Sequence, residues 1–323
     1  MLKRSLSVKS IIALFMSAVV MVSLFCGCGE QKTTQKEEID TVTFTDALDR
    51  EVTVKKNPER VAVLIGSFAD VWTLAGGTVC ASVDDAWDDF DLDLPDAVNL
   101  GGVHSPNLEL LLSANPNFVI ASSSTAADVE MKESLENAGI TVAYFDVSSF
   151  DDYLAMLKVC TDITGREDLY EQNGLNIKKQ IDDVKTEFAK ENIPENERTV
   201  LILRASSGFV KAKGSEGTVL GEILSDLGCI NIADSDKSLL ENLSVESIIS
   251  RKPYRIFVVV MGDDTEAAKD KLSSVMEENP AWGELEAVKE NRLYFMDKKL
   301  FNLKPNARWA ESYEQLVEIL RKK

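Results

Sequence analysis

Histidine is nearly absent: His104 stands alone among 323 residues. One imidazole cannot build the several-histidine cages usual for free zinc or manganese. No local motif supplies a Ser–His–acid triad, a glycine-rich phosphate cradle or a paired-cysteine metal knot. The chain offers enzymatic chemistry no constellation, and a non-enzymatic role is expected. Positive charge is scarce too, with 35 Lys and Arg against 54 Asp and Glu and a net charge of −19. That balance excludes a nucleic-acid partner, whose phosphates need basic patches. Of 5 cysteines, only Cys80, Cys160 and Cys229 lie beyond the first thirty residues. An odd, widely spaced set is no disulfide framework. Each sits among apolar neighbours and reads as a small buried hydrophobe.

Long apolar runs are also lacking, apart from one. Ile11–Phe25 follows Lys3, Arg4 and Lys9; at about 15 residues it is short of the ~20 that span a bilayer. A basic start and a short apolar core describe a secretory leader, which takes no part in the fold. The leader ends in Leu24-Phe25-Cys26-Gly27-Cys28, and a small residue before a cysteine at this point resembles the lipobox of bacterial lipoproteins. Gly27 suits the position before the cut, so Cys28 is the expected lipid-bearing residue. Cys26, preceded by bulky Phe25, is the weaker choice. Two acyl chains, at ~0.8 kcal/mol per buried methylene, suffice for stable anchoring. Residues 1–27 are thus read as leader and 28–40, polar and patternless, as a flexible tether.

The rest is long enough for two ordinary domains. TVTFT and EVTV, around a polar turn at 46–50, suggest a hairpin. Apolar β-branched runs at Arg60–Ile65, Phe118–Ala121, Thr141–Phe145, Val200–Leu203, Ile256–Val260 and Leu293–Phe295 read as strands buried on both faces. Helical stretches such as Val129–Ala138 and Val219–Leu227 alternate with them, which argues for parallel, helix-covered sheets. Between 150 and 192 the alternation stops. Asp151–Thr164 has helical periodicity ending at Gly165, and Arg166–Glu191 reads as a second, charged helix long enough to bridge two lobes. The expected architecture is α/β: two Rossmann-like lobes with mostly parallel sheets (41–165 and 195–323) joined by one long rigid helix (166–194).

The two halves repeat a pattern. Asn107-Leu-Glu109 is followed by Ser113 and Pro116, and Ser244-Val-Glu246 by Ser250 and Pro253, each proline leading into a strand. Physically this is a capped short helix, a proline break and a buried strand. Its recurrence implies two lobes built to one plan.

Five blocks then become specific: TFTDALDREVTVKKNPERVAVL, LGGVHSPNLELLLSANPNFVIA, GTVLGEILSDLGCINIA, LSVESIISRKPYRIFVV and NPAWGELEAVKENRLYFMD. In this order they resemble the solute-binding proteins of bacterial ABC importers for iron-siderophores, haem and cobalamin. The resemblance runs from about Thr41 to Leu320, with one departure, Asn117, where that family commonly has aspartate. It implies a ligand cleft between the lobes, no intrinsic cofactor, and delivery of a bound chelate to a permease dimer with its ATPase subunits. It also implies a monomer on the outer face of the cell membrane, held by its lipid anchor. Glu109 and Glu246 would meet arginines of the permease. Helix N-termini favour carboxylates by ~0.3–1 kcal/mol in any case, so each glutamate also has an ordinary structural reading. The expected cargo is an Fe(III) chelate, with haem or a corrinoid as alternatives.

Open α/β sheets bind ligands at the C-terminal ends of their strands. That rule nominates Ser67, Phe68, Trp87 and Ser122–Ser124 in the first half. In the second it nominates Arg204, Phe209, Lys211, Lys213, Met261 and the segment Lys298–Phe301. His104 precedes the first repeat helix; it reads as structural or solvated, or as an axial ligand if the cargo is haem. Six aspartates between Asp84 and Asp93 lack the glycine turn and terminal glutamate of a calcium loop and read as a solvated acidic rim. Such a rim, if it lined the cleft, would disfavour a highly anionic ligand.

Overall fold

Alternation of buried and exposed residues builds the first element. In the computed structural model, which describes residues 40–262 and 264–322, β1 (Thr41–Thr45) and β2 (Glu51–Lys55) form an antiparallel pair in the register Thr41↔Lys55 to Thr45↔Glu51. The leader, Cys28 and nearly all of the tether lie outside the described residues. Asp46 ties the hairpin turn together: its carboxylate accepts from the backbone N–H groups of Leu48, Arg50 and Tyr144 and from the Arg50 guanidinium at 2.6 Å.

The apolar runs form two sheets. In the first, β3 (Val61–Val63), β4 (Val79–Ser82), β5 (Val98–Asn99), β6 (Phe118–Ser122) and β7 (Thr141–Phe145) lie in the order β5-β4-β3-β6-β7, all parallel. In the second, β8 (Thr199–Ala205), β10 (Ile230–Asn231), β11 (Arg255–Val260) and β12 (Leu293–Met296) run parallel in the order β10-β8-β11-β12. There β9 (Val210–Lys213) pairs antiparallel with β8. Strand residues alternate between separate cores. Val61, Val63, Val200 and Ile202 face one continuous core spanning both halves, whereas Ala62 and Leu64, and Leu201 and Leu203, face two smaller ones.

The repeat is structural. Asn107 caps the helix Leu108–Ser113 by accepting from Leu110 N–H at 3.0 Å, and Ser244 caps Val245–Arg251 by accepting from Ser247 N–H at 3.3 Å. Asn115 and Lys252, each just before its proline, both take left-handed φ of 49°. The strands that follow, β6 and β11, are wholly buried and interior to their sheets.

The bridging segment corrects one expectation. Phe150–Thr164 is an α-helix with a Ser149–Asp152 capping box and a left-handed Gly165 stop, but 166–191 is not one uniform α-helix. Glu167–Tyr170 is α, Glu171–Leu175 is π, and Asn176–Phe188 is α again. The wide turn frees the Asn173 carbonyl to accept from Tyr153 Oη at 2.7 Å, and Asn173 Nδ2 donates to Leu74 O at 2.8 Å.

A second strap joins the halves after β12. Asn306 Nδ2 donates to Ser67 O at 2.8 Å and to Asp70 Oδ2 at 2.9 Å. The helix Trp309–Arg321 then packs back on Asn176–Phe188, with Trp309 edge-on to Phe150 at 6.2 Å.

Candidate functional site

Parallel strands expose their C-terminal ends together, so the loops after β3, β6 and β7 form one set and those after β8, β11 and β12 another. In the first set, Gly66 follows β3 and its N–H donates to Asp85 Oδ1 at 2.8 Å. A Cβ at Gly66 would lie 2.6 Å from Ala86 N, so only glycine lets the helix Asp85–Asp88 approach. Ser122, ending β6, donates its N–H to Asp128 Oδ2 at 2.8 Å, and its hydroxyl meets that of Ser124 at 2.9 Å. Burial pushes the Asp128 carboxyl up to about 7 and that of Asp85 up to about 6, against the lowering effect of those N–H donors. Both carboxylates hold loops in place.

In the second set, cross-strand register sorts the charges. Arg204 lies opposite Lys211, and Ile202 opposite Lys213. Pleating therefore puts Arg204, Lys211 and Lys213 on the sheet face that Val200 and Ile202 turn to the shared core. Arg204 is half-buried and its Nε has no hydrogen-bond partner; burial holds its pKa below the ordinary value. Lys213 is depressed by burial and then by Arg204 and Lys211. Lys304, from the strap, is depressed by burial, feels Arg204 as a like charge, and is partly relieved by Asp146 at the end of β7. It therefore stands within electrostatic reach of both sets.

The residues nominated from sequence fall into three groups. Arg204, Lys211 and Lys213 belong to the cationic face, with Lys211 Nζ 5.3 Å from the Phe209 ring centre. Met261, 36% exposed, follows β11, and Ser122, Ser123 and half-buried Trp87 stand at the first set of loops. Phe68 and Phe301 are buried in the shared core, and Ser67 is buried beneath the strap. The two phenylalanine side chains are engaged in packing, whereas Ser67 Oγ is buried without a hydrogen-bond partner. Lys298 binds Asp89 at 2.7 Å, and Lys299 binds Asp91 at 2.5 Å. The acidic run is thus tied across the halves at two points rather than left wholly to solvent. His104 is exposed in the loop before Leu108–Ser113. Glu109 and Glu246 are exposed in the first turns of the two repeat helices.

Sequence reasoning stopped at Phe301 and missed Lys304. The available signal was Lys304-Pro305-Asn306, a turn three residues past a strand-end helix. Cavities border the site without defining it. One of about 760 Å³ opens beside Lys213 and Gly214–Thr218, and one of about 290 Å³ is lined by Lys304, Lys299, Asp89 and Asp91.

One parallel and one mostly parallel sheet in one chain, with a duplicated helix–proline–strand unit, define a two-lobed α/β protein. The comparisons agree: the family described as periplasmic binding protein matches residues 61–300, and the chain belongs to it. A relative from Bacillus subtilis (strain 168), the uncharacterized ABC transporter substrate-binding lipoprotein YvrC, is 27% identical over 315 residues, covering 95% of this chain and 94% of the relative. The Fe(3+)-citrate-binding protein YfmC of the same organism is 26% identical over 298 residues, covering 90% and 89%. The crystal structure of an ABC transporter substrate-binding protein from Listeria monocytogenes EGD-e superposes with a TM-score of 0.68 at 21% identity. It covers 83% of this chain and 100% of that one, a likeness of fold.

Proposed function

We propose that this chain is the substrate-binding lipoprotein of an ABC importer, capturing an iron chelate between its lobes and delivering it to a permease dimer. Cys28 carries the lipid and residues 28–40 tether a monomeric body, with lobes over 41–165 and 195–323, to the outer face of the membrane. ATP is hydrolysed by separate cytoplasmic subunits, and the chain itself performs no catalysis.

The observation that carries this reading is the matched pair of exposed glutamates. Each sits two residues past a helix cap and seven before the proline that opens a central buried strand. A body with one such carboxylate per lobe suits a two-fold partner. Exposed charge pairs are individually weak, so the pair governs orientation and encounter more than affinity. Relatives named for ABC transport and for ferric citrate point the same way. In E109A/E246A, cargo binding by the purified protein is expected to stay within twofold of the unsubstituted protein while cellular uptake falls at least tenfold. Undiminished uptake would refute docking. The absorption spectrum of protein purified from its native host names the cargo: charge-transfer bands for a ferric chelate, a Soret band for haem through His104 or otherwise, a corrin spectrum for a corrinoid.

A further inference from the structure

Two ion pairs join the halves over long stretches of chain. Asp89 accepts from Lys298 Nζ at 2.7 Å and Asp91 from Lys299 Nζ at 2.5 Å, across 209 and 208 residues. The first pair is partly shielded, its side chains 21% and 24% exposed, and the second is open to solvent. Both aspartates belong to Asp84–Leu94, which follows β4 and holds one short helix, Asp85–Asp88, before an irregular stretch with Asp91 at φ of 52°. The segment is two-sided: Trp87, Leu92 and Leu94 pack on the shared core, while Asp88, Asp91 and Asp93 are exposed. Opposite it, the helix Lys298–Phe301 buries Leu300 and Phe301 in that same core. A crevice of about 290 Å³, lined in part by Asp89, Asp91 and Lys299, opens alongside, so charge spans this part of the junction where close packing does not.

We propose that Asp84–Leu94 is a latched flap: Lys298 and Lys299 of the second half hold it down through Asp89 and Asp91, and release of this latch uncovers Trp87 and the edge of the shared core. One end of the flap is pinned to its own half, where Asp85 accepts from Gly66 N–H at 2.8 Å; the stretch beyond the short helix is the part that lifts. Part-exposed ion pairs are individually weak and are screened by salt. The latch therefore yields to a change of ionic strength that leaves the apolar core, and with it the fold, in place. The flap follows β4 and the lysines follow β12, so the device sits where strands of both sheets end. It works without cargo and does not depend on which cargo is carried. Lys298, nominated from sequence as a ligand contact, acts here as a latch residue.

Tryptophan quenching by acrylamide, a neutral quencher, reads the flap directly. Of the 4 tryptophans, Trp72, Trp282 and Trp309 are at most 1% exposed, whereas Trp87 is half-buried. In cargo-free, full-length mature protein the quenching constant should rise at least twofold between about 20 mM and about 0.5 M NaCl, and W87F should abolish that rise. D89K/D91K, which sets like charges against the lysines, should be quenched at low salt as strongly as the unsubstituted protein at high salt. D89N/D91N, which removes the attraction without adding repulsion, should also be open at low salt and indifferent to further salt. The exchange D89K/D91K/K298D/K299D should restore protection at low salt, a recovery that separates loss of the latch from misfolding. Quenching that ignores salt in the unsubstituted protein, or a salt effect that survives in W87F, overturns the flap. Opening by D89K/D91K that the exchange fails to reverse overturns the pairing of these aspartates with these lysines.

Discussion

Replacing Asp128 by asparagine removes a buried ionisable group from beneath the Ser122–Ser124 turn. Its side chain is 0% exposed; Oδ2 accepts from Ser122 N–H at 2.8 Å and Oδ1 has no partner. Burial, and secondarily the nearby charge of Asp85, raises its pKa from 3.8 to about 7. The folded value lies above the unfolded one, so the fold prefers the protonated acid. Its contribution is therefore fully present below about pH 4, fades as pH rises between 4 and 7, and is gone above that window. At about 1.36 kcal/mol per pKa unit, the interval corresponds to at most about 4 kcal/mol. Asparagine keeps an oxygen for Ser122 N–H and cannot ionise. Urea unfolding of both proteins at pH 4.5, 6 and 7.5 should show D128N gaining on the unsubstituted protein as pH rises, by about 2–4 kcal/mol across the series. Parallel pH profiles, or D128N losing ground toward pH 7.5, would refute the argument, because either would mean that the native carboxyl is not held protonated by burial.

Two further substitutions test the packing that frames the site. Arg255 is buried at the start of β11 and donates to the carbonyls of Glu197, Leu320 and Lys322, each at 2.7 Å, closing the C-terminal end of the last helix. R255M strips those bonds, and unfolding free energy should fall by about 2–4 kcal/mol; an unchanged urea midpoint would show the carbonyls find other partners. At Lys252, φ of 49° excludes β-branched side chains without strain. K252V should therefore cost about 1–2 kcal/mol and K252G almost nothing, and a melting experiment in which valine is tolerated as well as glycine sinks that account.

The repeat shows what one-dimensional patterning carries. A cap, a glutamate in the first turn and a proline before a β-branched run are local signals, and the structure realises both copies down to the shared φ of 49° before each proline. Thr141–Phe145 likewise matches β7 end to end. The expected helix Val129–Ala138 instead divides at Met131 into Ala126–Glu130 and Lys132–Asn137, a break without Gly or Pro to mark it. The short edge strands β5 and β10, two residues each, are too brief to have a period. The π-turn at Glu171–Leu175 was only faintly legible: it answers to Tyr153 on another helix, and Gly174 within it marks a close approach, an added Cβ lying 2.8 Å from Leu154 Cδ1, without announcing the wider ring.

Charge at the site was the least legible feature, because a tally along the chain ignores which charges face each other. Six aspartates between Asp84 and Asp93 weighed against an anionic cargo when counted as a solvated rim. In the fold, Asp85 holds Gly66 N–H, while Asp89 and Asp91 hold Lys298 and Lys299. Half of that rim is thereby engaged, two of its members by lysines that sequence alone placed among the ligand contacts or beside them. The cations without such partners, Arg204, Lys213 and Lys304, are farther apart in sequence, and only the β8–β9 register and the strap after β12 bring them together. A protein of net charge −19 can therefore still gather Arg204, Lys211 and Lys213 on one sheet face. Long-range repulsion of an anion by the whole molecule is screened beyond about 8–10 Å at physiological salt.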